Sequence, residues 1–566
     1  MSVPARAERR PRATSRRALP ARLAAALLAV LALAPATAAA AGPVGKAPPG
    51  TRPVLAVGNN WDGTADILDV PSYERLKRIN VVPDYEERMA EAMLEHDGFA
   101  RLLVIRALIG EGHDQLVDDL YTSNDGRTLY VSRPSFADVV AIDIATNQIV
   151  WRTPVFPGLD HHGERADHMA MSPDGTHLAV SAQRLIGPAP HRVVIIEAAT
   201  GRVVNTFPSG DVPHENVYSR DGSRIFHASI GRVFLPDDHP MIEAPPGHNF
   251  SSKGDRVFQI VDSKSMAILK KFNMGKKLEE AGYPGMSAAV RPMTLSPDEK
   301  WLYFQVSFFH GFVEFDLERE RVTRIAELPT SEATPQRRED YILDSAHHGI
   351  AMNGAGTKLC VAGTMSNYAA IVDRADFSHR IHPLGARTYW STTSADGKYC
   401  YVSVAGDDTM SIISYKTEQE VARVPVGYHP QRARTGNVSV DIFGAPPSPN
   451  RARPKALSLR VSPARDRRAP YRFRLRGRLR MPAGVKAATG CRGVVRVDLR
   501  RGGAVVASAR AKLRRAGVRC RYARTLRVPA AKVRGERPVR LTAHARFVGN
   551  DALAPRPARA RAARIR

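Results

Sequence analysis

The chain has 566 residues, 43% of them hydrophobic, and a formal net charge of +27. That is enough length for several domains and enough apolar content to exclude intrinsic disorder for most of the chain. Beyond the N-terminal region no apolar run approaches the roughly 20 residues of a membrane helix. Four cysteines are too few for a disulfide-dense scaffold, and no Cys-x-x-Cys pair, Walker-type phosphate loop or Gly-x-Ser-x-Gly elbow occurs.

The charge is unevenly placed. Residues 1–42 carry +6, residues 43–450 carry −10, and residues 451–566 carry +31. An acidic body is joined to a very basic C-terminal module, and each needs its own reading.

Residues 1–41 read as an export signal. Seven arginines precede the apolar run Leu23 to Leu33, and Ala39-x-Ala41 follows as a cleavage site. Charged, apolar and small residues in that order mark secretion. Ser15 to Leu19 resembles a twin-arginine signal, so either export route is compatible with the sequence. A secreted or extracytoplasmic location is expected, without a transmembrane segment after the signal.

Residues 52–440 read as a repeat. Six segments share one grammar of polar start, short strand, tight turn and second strand. Their turns close at Gly126, Gly175, Gly222, Glu299, Gly356 and Gly397. Asp-Gly, present in four of them, supplies the positive backbone angles of a tight hairpin. Third and fourth strands follow, as in Val139–Ile144 with Gln148–Trp151. Four strands per unit, with a shortest spacing of 41 residues (Gly356 to Gly397), predict propeller blades. Residues 53–83 supply three strands without an inner one, and 428–440 an inner strand with nothing after it. Their pairing would close a ring of seven blades and remove an open sheet edge. The expected fold is therefore all-β: a seven-bladed β-propeller with a helical insertion, followed by a small immunoglobulin-like β-sandwich.

Ser172-Pro173-Asp174-Gly175 with its following strand, the third-strand pattern ending in Thr200-Gly201, and the ending Val426-Gly427-x-x-Pro430 resemble the YVTN-type β-propellers over residues 53–440. The resemblance implies the fold and leaves function open, since relatives include surface proteins, lactonase-like enzymes and dehydrogenase subunits.

Loop lengths single out one face. The first and third turns of each unit are tight, whereas 84–116, 157–166, 183–190, 230–252 and 330–343 all fall at the opposite end. Long loops on a rigid scaffold are where binding residues concentrate. The segment 84–116 has Met89, Met93 and Leu94 at helical spacing, then Phe99, Leu102, Leu103 and Ile105, and reads as a helical cap. Counting eight residues back from each turn gives Asp118, Asp167, His214, Arg291, His348 and Tyr389. The next position gives Asp119, His168, Glu215, Pro292, Gly349 and Trp390, and the closing segment adds His429, Gln431 and Arg432. These are the starts of the inner strands and are expected to line the channel mouth.

Three readings of that mouth stand side by side. The polar residues fill a wet entrance, or they bind a polar or anionic small molecule, or they hold a metal. His168, His214 and His348, with the dense stretches Asp160 to Glu164 and Ala346 to Gly349, offer imidazoles suited to copper or zinc. Copper-binding propellers resembling nitrous oxide reductase or the selenium-binding family gather histidines in this way, but this chain lacks their full ligand sets. The leading expectation is a binding or scaffold protein with an unidentified small-molecule or protein ligand. The alternative is a metal-dependent oxidoreductase or lactonase-like hydrolase. Cys360 and Cys400 sit one residue out of register in neighbouring units, so a disulfide between them is not expected.

Pro446, Pro447, Pro449, Arg451 and Pro454 mark a linker over 441–455. Period-two strands over 456–555 then predict the sandwich, with a disulfide between Cys491 and Cys520 and a basic disordered tail at 556–566. Arginine on nearly every strand's solvent face suits an anionic cell-envelope polymer. Nucleic acid is disfavoured by export and by the lack of a base-reading motif.

Overall fold

The computed structural model describes residues 47–94, 98–156, 164–184, 191–231, 254–443, 452–501, 504–517, 519–533, 538–550, 552–554 and 556–565. The predicted signal lies outside these residues, as do His161, His162 and most of the loops predicted at 157–166, 183–190 and 230–252.

The repeat's grammar has a local cause. In the turn over 172–177 the Ser172 hydroxyl donates to the Asp174 carboxylate (2.6 Å) and accepts from the backbone N–H of His177 (2.9 Å). Ser123 with Asp125, Ser219 with Asp221 and Ser394 with Asp396 repeat the first bond, each at 2.6 Å. Gly175 then takes a left-handed φ of 74°, which costs a residue without a β-carbon little. Glu299 occupies the equivalent place at φ 54°, and its carboxylate accepts from the backbone N–H of Arg220 and from the Arg224 guanidinium.

Among the described residues the body contains seven four-stranded antiparallel sheets. Six run consecutively along the chain. The seventh joins Pro430–Ser439 to Thr51–Asn59, Thr64–Asp69 and Arg75–Asn80, with Thr51 opposite Ser439 and Val57 opposite Ala433. The first strands, from Leu120–Thr122 through Glu164–Met171, Pro213–Tyr218, Val290–Leu295, Ile350–Met352 and Thr388–Thr393 to Pro430–Ser439, touch their neighbours in a circuit that returns to its start. The arrangement is propeller-like, and chain closure leaves the first and last sheets no unpaired seam.

Alternate residues of each second strand face different neighbours. Leu359 and Val361 pack with Tyr303 and Phe312 of the preceding sheet, whereas Cys360 packs with Cys400 and Val402 of the following one. Cys360 and Cys400 form a disulfide with Cα atoms 6.3 Å apart. This corrects the sequence expectation. In stacked sheets the forward face of one meets the backward face of the next, so the odd register brings the two thiols together.

The insertion after the first sheet forms helices at Tyr85–Leu94 and Gly98–Val104 and a π-helical turn at Ile105–Ile109. Ala92, Leu102 and Ile105 are buried, whereas Met93, Leu94, Phe99 and Leu103 are exposed. The buried Arg133 ties the segment's start to the first complete sheet, through Asp84 Oδ1 (2.5 Å) and Asp138 Oδ1 and Oδ2 (2.7 Å each).

The C-terminal module has two sheets around one apolar core containing Tyr471, Phe473, Val497, Leu526, Leu541 and Phe547. Cys491 and Cys520 form a disulfide, with Cα atoms 5.0 Å apart. Two boundaries differ from expectation. Ala452 already bridges Leu553, so the connecting stretch is shorter than 441–455. The tail is not disordered: Arg561–Ile565 pairs with Val539–Phe547 and with Arg465–Asp466. Its alternation puts Ala563 and Ile565 into the core, a pattern that the Ala/Arg composition conceals.

Candidate functional site

The inner strands do not begin as regular strands. Pairing with the second strand is interrupted between Ala166 and Met169, Pro213 and Glu215, Val290 and Met293, and Thr388 and Ser391. Each interruption is a β-bulge or irregularity, a device that re-aims side chains, and each contains residues predicted for the channel mouth. Second-strand serines satisfy the displaced backbone. Ser132 Oγ accepts from the N–H of Asp119 (3.0 Å), Ser403 Oγ accepts from that of Trp390 (2.9 Å), and Ser181 Oγ donates to the carbonyl of His214 (2.9 Å).

A cavity of about 530 Å³ opens there. Asp118, Asp167, His168, His214, Arg291, His348, Tyr389 and Gln431 line it, together with Leu108, Ile109 and Glu111 of the insertion and Tyr341 and Ile342 of the 330–343 loop. Glu215, Trp390 and Arg432 stand behind this wall. Glu215 Oε2 is 3.0 Å from His168 Nδ1, and the Arg432 guanidinium stacks on Trp390, 3.9 Å from its ring centre. His429 lies apart: it stacks against Trp61 (centroids 3.6 Å, 7°), which also stacks on His113 of the segment joining the helices to the next sheet.

His168, His214 and His348 each place one ring nitrogen within 4.8 Å of the others. His168 and His214 have ring centres 3.8 Å apart, and His348 stacks on Tyr389 at 4.3 Å. Burial holds all three imidazoles well below their ordinary range, aided by Arg432 at His168 and by Arg291 at the other two. They are therefore neutral at physiological pH, the form that ligates metals. The buried Nδ1 atoms of His214 and His348 have no hydrogen-bond partner. At His168 both nitrogens are engaged. Arginine can only donate, so the Nε2 that meets Arg432 accepts, and the Nδ1 proton points to Glu215.

The carboxylates are perturbed as well. Burial pushes Asp167 up to about 7 and Glu215 up to about 8, and raises Asp118. Asp118 and Asp167 each come within 4.0 Å of His168 Nε2. Arg165 binds Asp167 Oδ1 (2.5 Å), Gln183 (2.9 Å) and Gln115 (2.8 Å), fixing that side of the cavity. Sequence reasoning missed Arg165, Gln115 and Gln183. Arg165 lies two residues before Asp167, on the same face of the strand, and that spacing was the available signal.

The donor set fits a divalent transition metal: three neutral imidazoles on one cavity wall, two of them with unpartnered Nδ1 atoms. An ion bound through His168 Nε2 would have to take the place of Arg432 at that nitrogen.

No family model and no curated protein matches this chain. Among solved structures, one titled hydrazine synthase of Kuenenia stuttgartiensis is similar, at 15% identity and a TM-score of 0.43. The match covers 64% of this chain and 92% of that one.

Proposed function

We propose that this chain is an exported, seven-bladed β-propeller of the YVTN type with an immunoglobulin-like C-terminal module. Its axial cavity takes a small polar substrate at a zinc or copper ion held by His168, His214 and His348, which makes it a metal-dependent enzyme. The observation that carries this reading is the convergence of three imidazoles, distant in sequence, within 4.8 Å of one another on a cavity wall. Three protein donors leave a coordination position for substrate or water, as catalytic sites do and closed structural sites do not. The Arg-rich, apolar, Ala-rich N-terminus and the two disulfides support export.

A bound ion would supply Lewis acidity if zinc, or one-electron chemistry if copper. The chain supplies the rest. Arg291 and Arg165 present positive charge to an anionic group on the substrate. Asp167, held near neutrality, exchanges a proton inside the cavity. Leu108, Ile109 and Tyr341 add apolar surface to the cavity lining.

A second reading, a metal-free pocket for a polar ligand, is favoured by the Arg432–His168 contact, which occupies the nitrogen a metal needs. The deciding experiment is metal analysis of protein recovered after native export, beside His214→Ala and His348→Ala. Stoichiometric zinc or copper in the wild type, lost from both variants, is the expected result. Absence of metal, together with failure to bind added zinc or copper, overturns the metal reading and leaves the metal-free pocket.

A further inference from the structure

In the C-terminal module, the long strand Tyr471–Arg480 alternates without exception on one side. Every second residue from Arg472 to Arg480 is an exposed arginine, while Tyr471, Phe473, Leu475 and Leu479 are buried. Its neighbours continue the pattern across the sheet. Arg472 stands opposite Arg527, and Arg478 opposite Arg521. Arg460 stands opposite Arg476, and Arg514 opposite Arg521. Like charges directly across a sheet repel and cost stability. No carboxylate offsets them on these strands, and no ion pair to these arginines occurs among the described residues. Asp466, the nearest acid in sequence, has its carboxylate occupied by the backbone N–H groups of Arg468 and Arg472.

The second sheet differs. There Arg500 pairs with Asp498 at 2.7 Å, and Thr542 and His544 interrupt the arginines of its central strand. Charge alone therefore does not distinguish the two faces; the unbroken ladder does, with Asp466 beside Arg472 at one end and no ion pair along Arg474 to Arg480 among the described residues.

We infer that the exposed face of the sheet built on Tyr471–Arg480 and Arg519–Val528 binds an extended polyol-phosphate polymer, a linear chain of phosphodiesters. Two residues along a strand span about 6.8 Å, comparable with the separation of successive phosphates along such a chain. Guanidinium forks match phosphate oxygens in bidentate fashion. The face carries Ala523 and Thr525 between its arginines but no large exposed apolar side chain. It has nothing to insert into a bilayer, and this favours a polymer over a lipid surface. The inference is independent of the metal reading.

The test uses the full chain and a fluorescent synthetic poly(glycerol phosphate) oligomer, followed by anisotropy at 50–200 mM salt. The affinity should fall steeply with salt. Arg474→Ser/Arg476→Ser/Arg478→Ser should weaken binding at least about tenfold and flatten the log–log salt slope by about 2, because each phosphate contact on a single strand contributes about 0.7. The matching lysine triple variant keeps the charge but not the fork, so it should bind between wild type and the serine triple with the wild-type salt slope, which separates charge loss from misfolding. Arg496→Ser/Arg540→Ser/Arg546→Ser, on the other sheet, should change it less than about threefold. Equal loss from both serine triples shows diffuse attraction to net charge and overturns the assignment. So does stronger binding to phosphatidylglycerol vesicles, or displacement by a thymidine oligonucleotide at far lower concentration.

Discussion

Glu215 supports His168 from behind the cavity wall: its Oε2 lies 3.0 Å from Nδ1, while the ring's other nitrogen faces Asp118, Asp167 and Arg432. The hydrogen bond fixes the tautomer that leaves Nε2 unprotonated, with its lone pair accepting from Arg432. Partners of this kind typically govern metal affinity 10–100-fold. Glu215→Leu should therefore weaken zinc or copper binding by about that factor, while Glu215→Gln, which keeps an acceptor oxygen, should lose less. Competition against a chelator of known affinity measures both. Equal affinities in all three proteins would show that His168 needs no support.

Arg133 is fully buried and bonded to Asp84 and Asp138, and Asp138 is only 1% exposed. Breaking a buried pair costs about 3–5 kcal/mol, and here Arg88 Nε stays 3.3 Å from Asp138 and Arg152 stays 3.7 Å from Asp84, which sets the loss near the lower end. Arg133→Leu should destabilise the chain by that order and free the start of the helical insertion. Urea unfolding reads the first effect. Limited proteolysis reads the second, with cleavage moving into 85–112 before the body unfolds. Unchanged cleavage would mean that the Trp61–His113 stack and the Glu111–Arg387 ion pair hold the segment by themselves.

Much of this was legible in the sequence, because the Ser-x-Asp-Gly turns index each unit and the inner-strand starts lie at a fixed offset from them. The offset led to the cavity residues, but strand alternation alone would have sent neighbours such as Asp167 and His168 to opposite faces. The bulges there have no sequence signature beyond the serines at positions such as 132, 181 and 403. Alternation failed outright at Cys360 and Cys400. Parity within one sheet says nothing about which face of the next sheet it meets. The closing segment was harder still, since Gln431 and Arg432 reach the site while His429, at φ 56°, turns away to Trp61.

The Cys360–Cys400 bond links two neighbouring sheets across a sequence separation of 40 residues. Closing a loop of that size restricts the unfolded chain by about 3–4 kcal/mol. Cys360→Ser/Cys400→Ser should lower the unfolding free energy by about that amount, less whatever strain the bond carried. The urea midpoint should drop while metal content at the proposed site of His168, His214 and His348 stays unchanged. Loss of metal together with the disulfide would show that the seam between these sheets positions His348.

The buried histidines away from the cavity set an acid limit. Burial holds His227 at about 3, with Asn216 and Ser209 at its two nitrogens, and burial with Arg387 and His113 nearby holds His429 at about 3. In the unfolded chain each titrates near 6.5. Above that value both states are neutral and the full stability is present. As pH falls below it the unfolded state takes up protons that the folded state refuses, so stability declines until the pH reaches about 3. Each such histidine contributes a slope of about 1.4 kcal/mol per pH unit in that window. His227→Gln should lose stability at pH 7.5, where the native hydrogen bonds are removed. The gap to wild type should then narrow by about 1.4 kcal/mol for each unit below pH 6, as wild type alone pays the proton penalty. Urea midpoints at pH 7.5, 6 and 5 measure the gap, and a difference independent of pH would mean that His227 accepts its proton in the folded state.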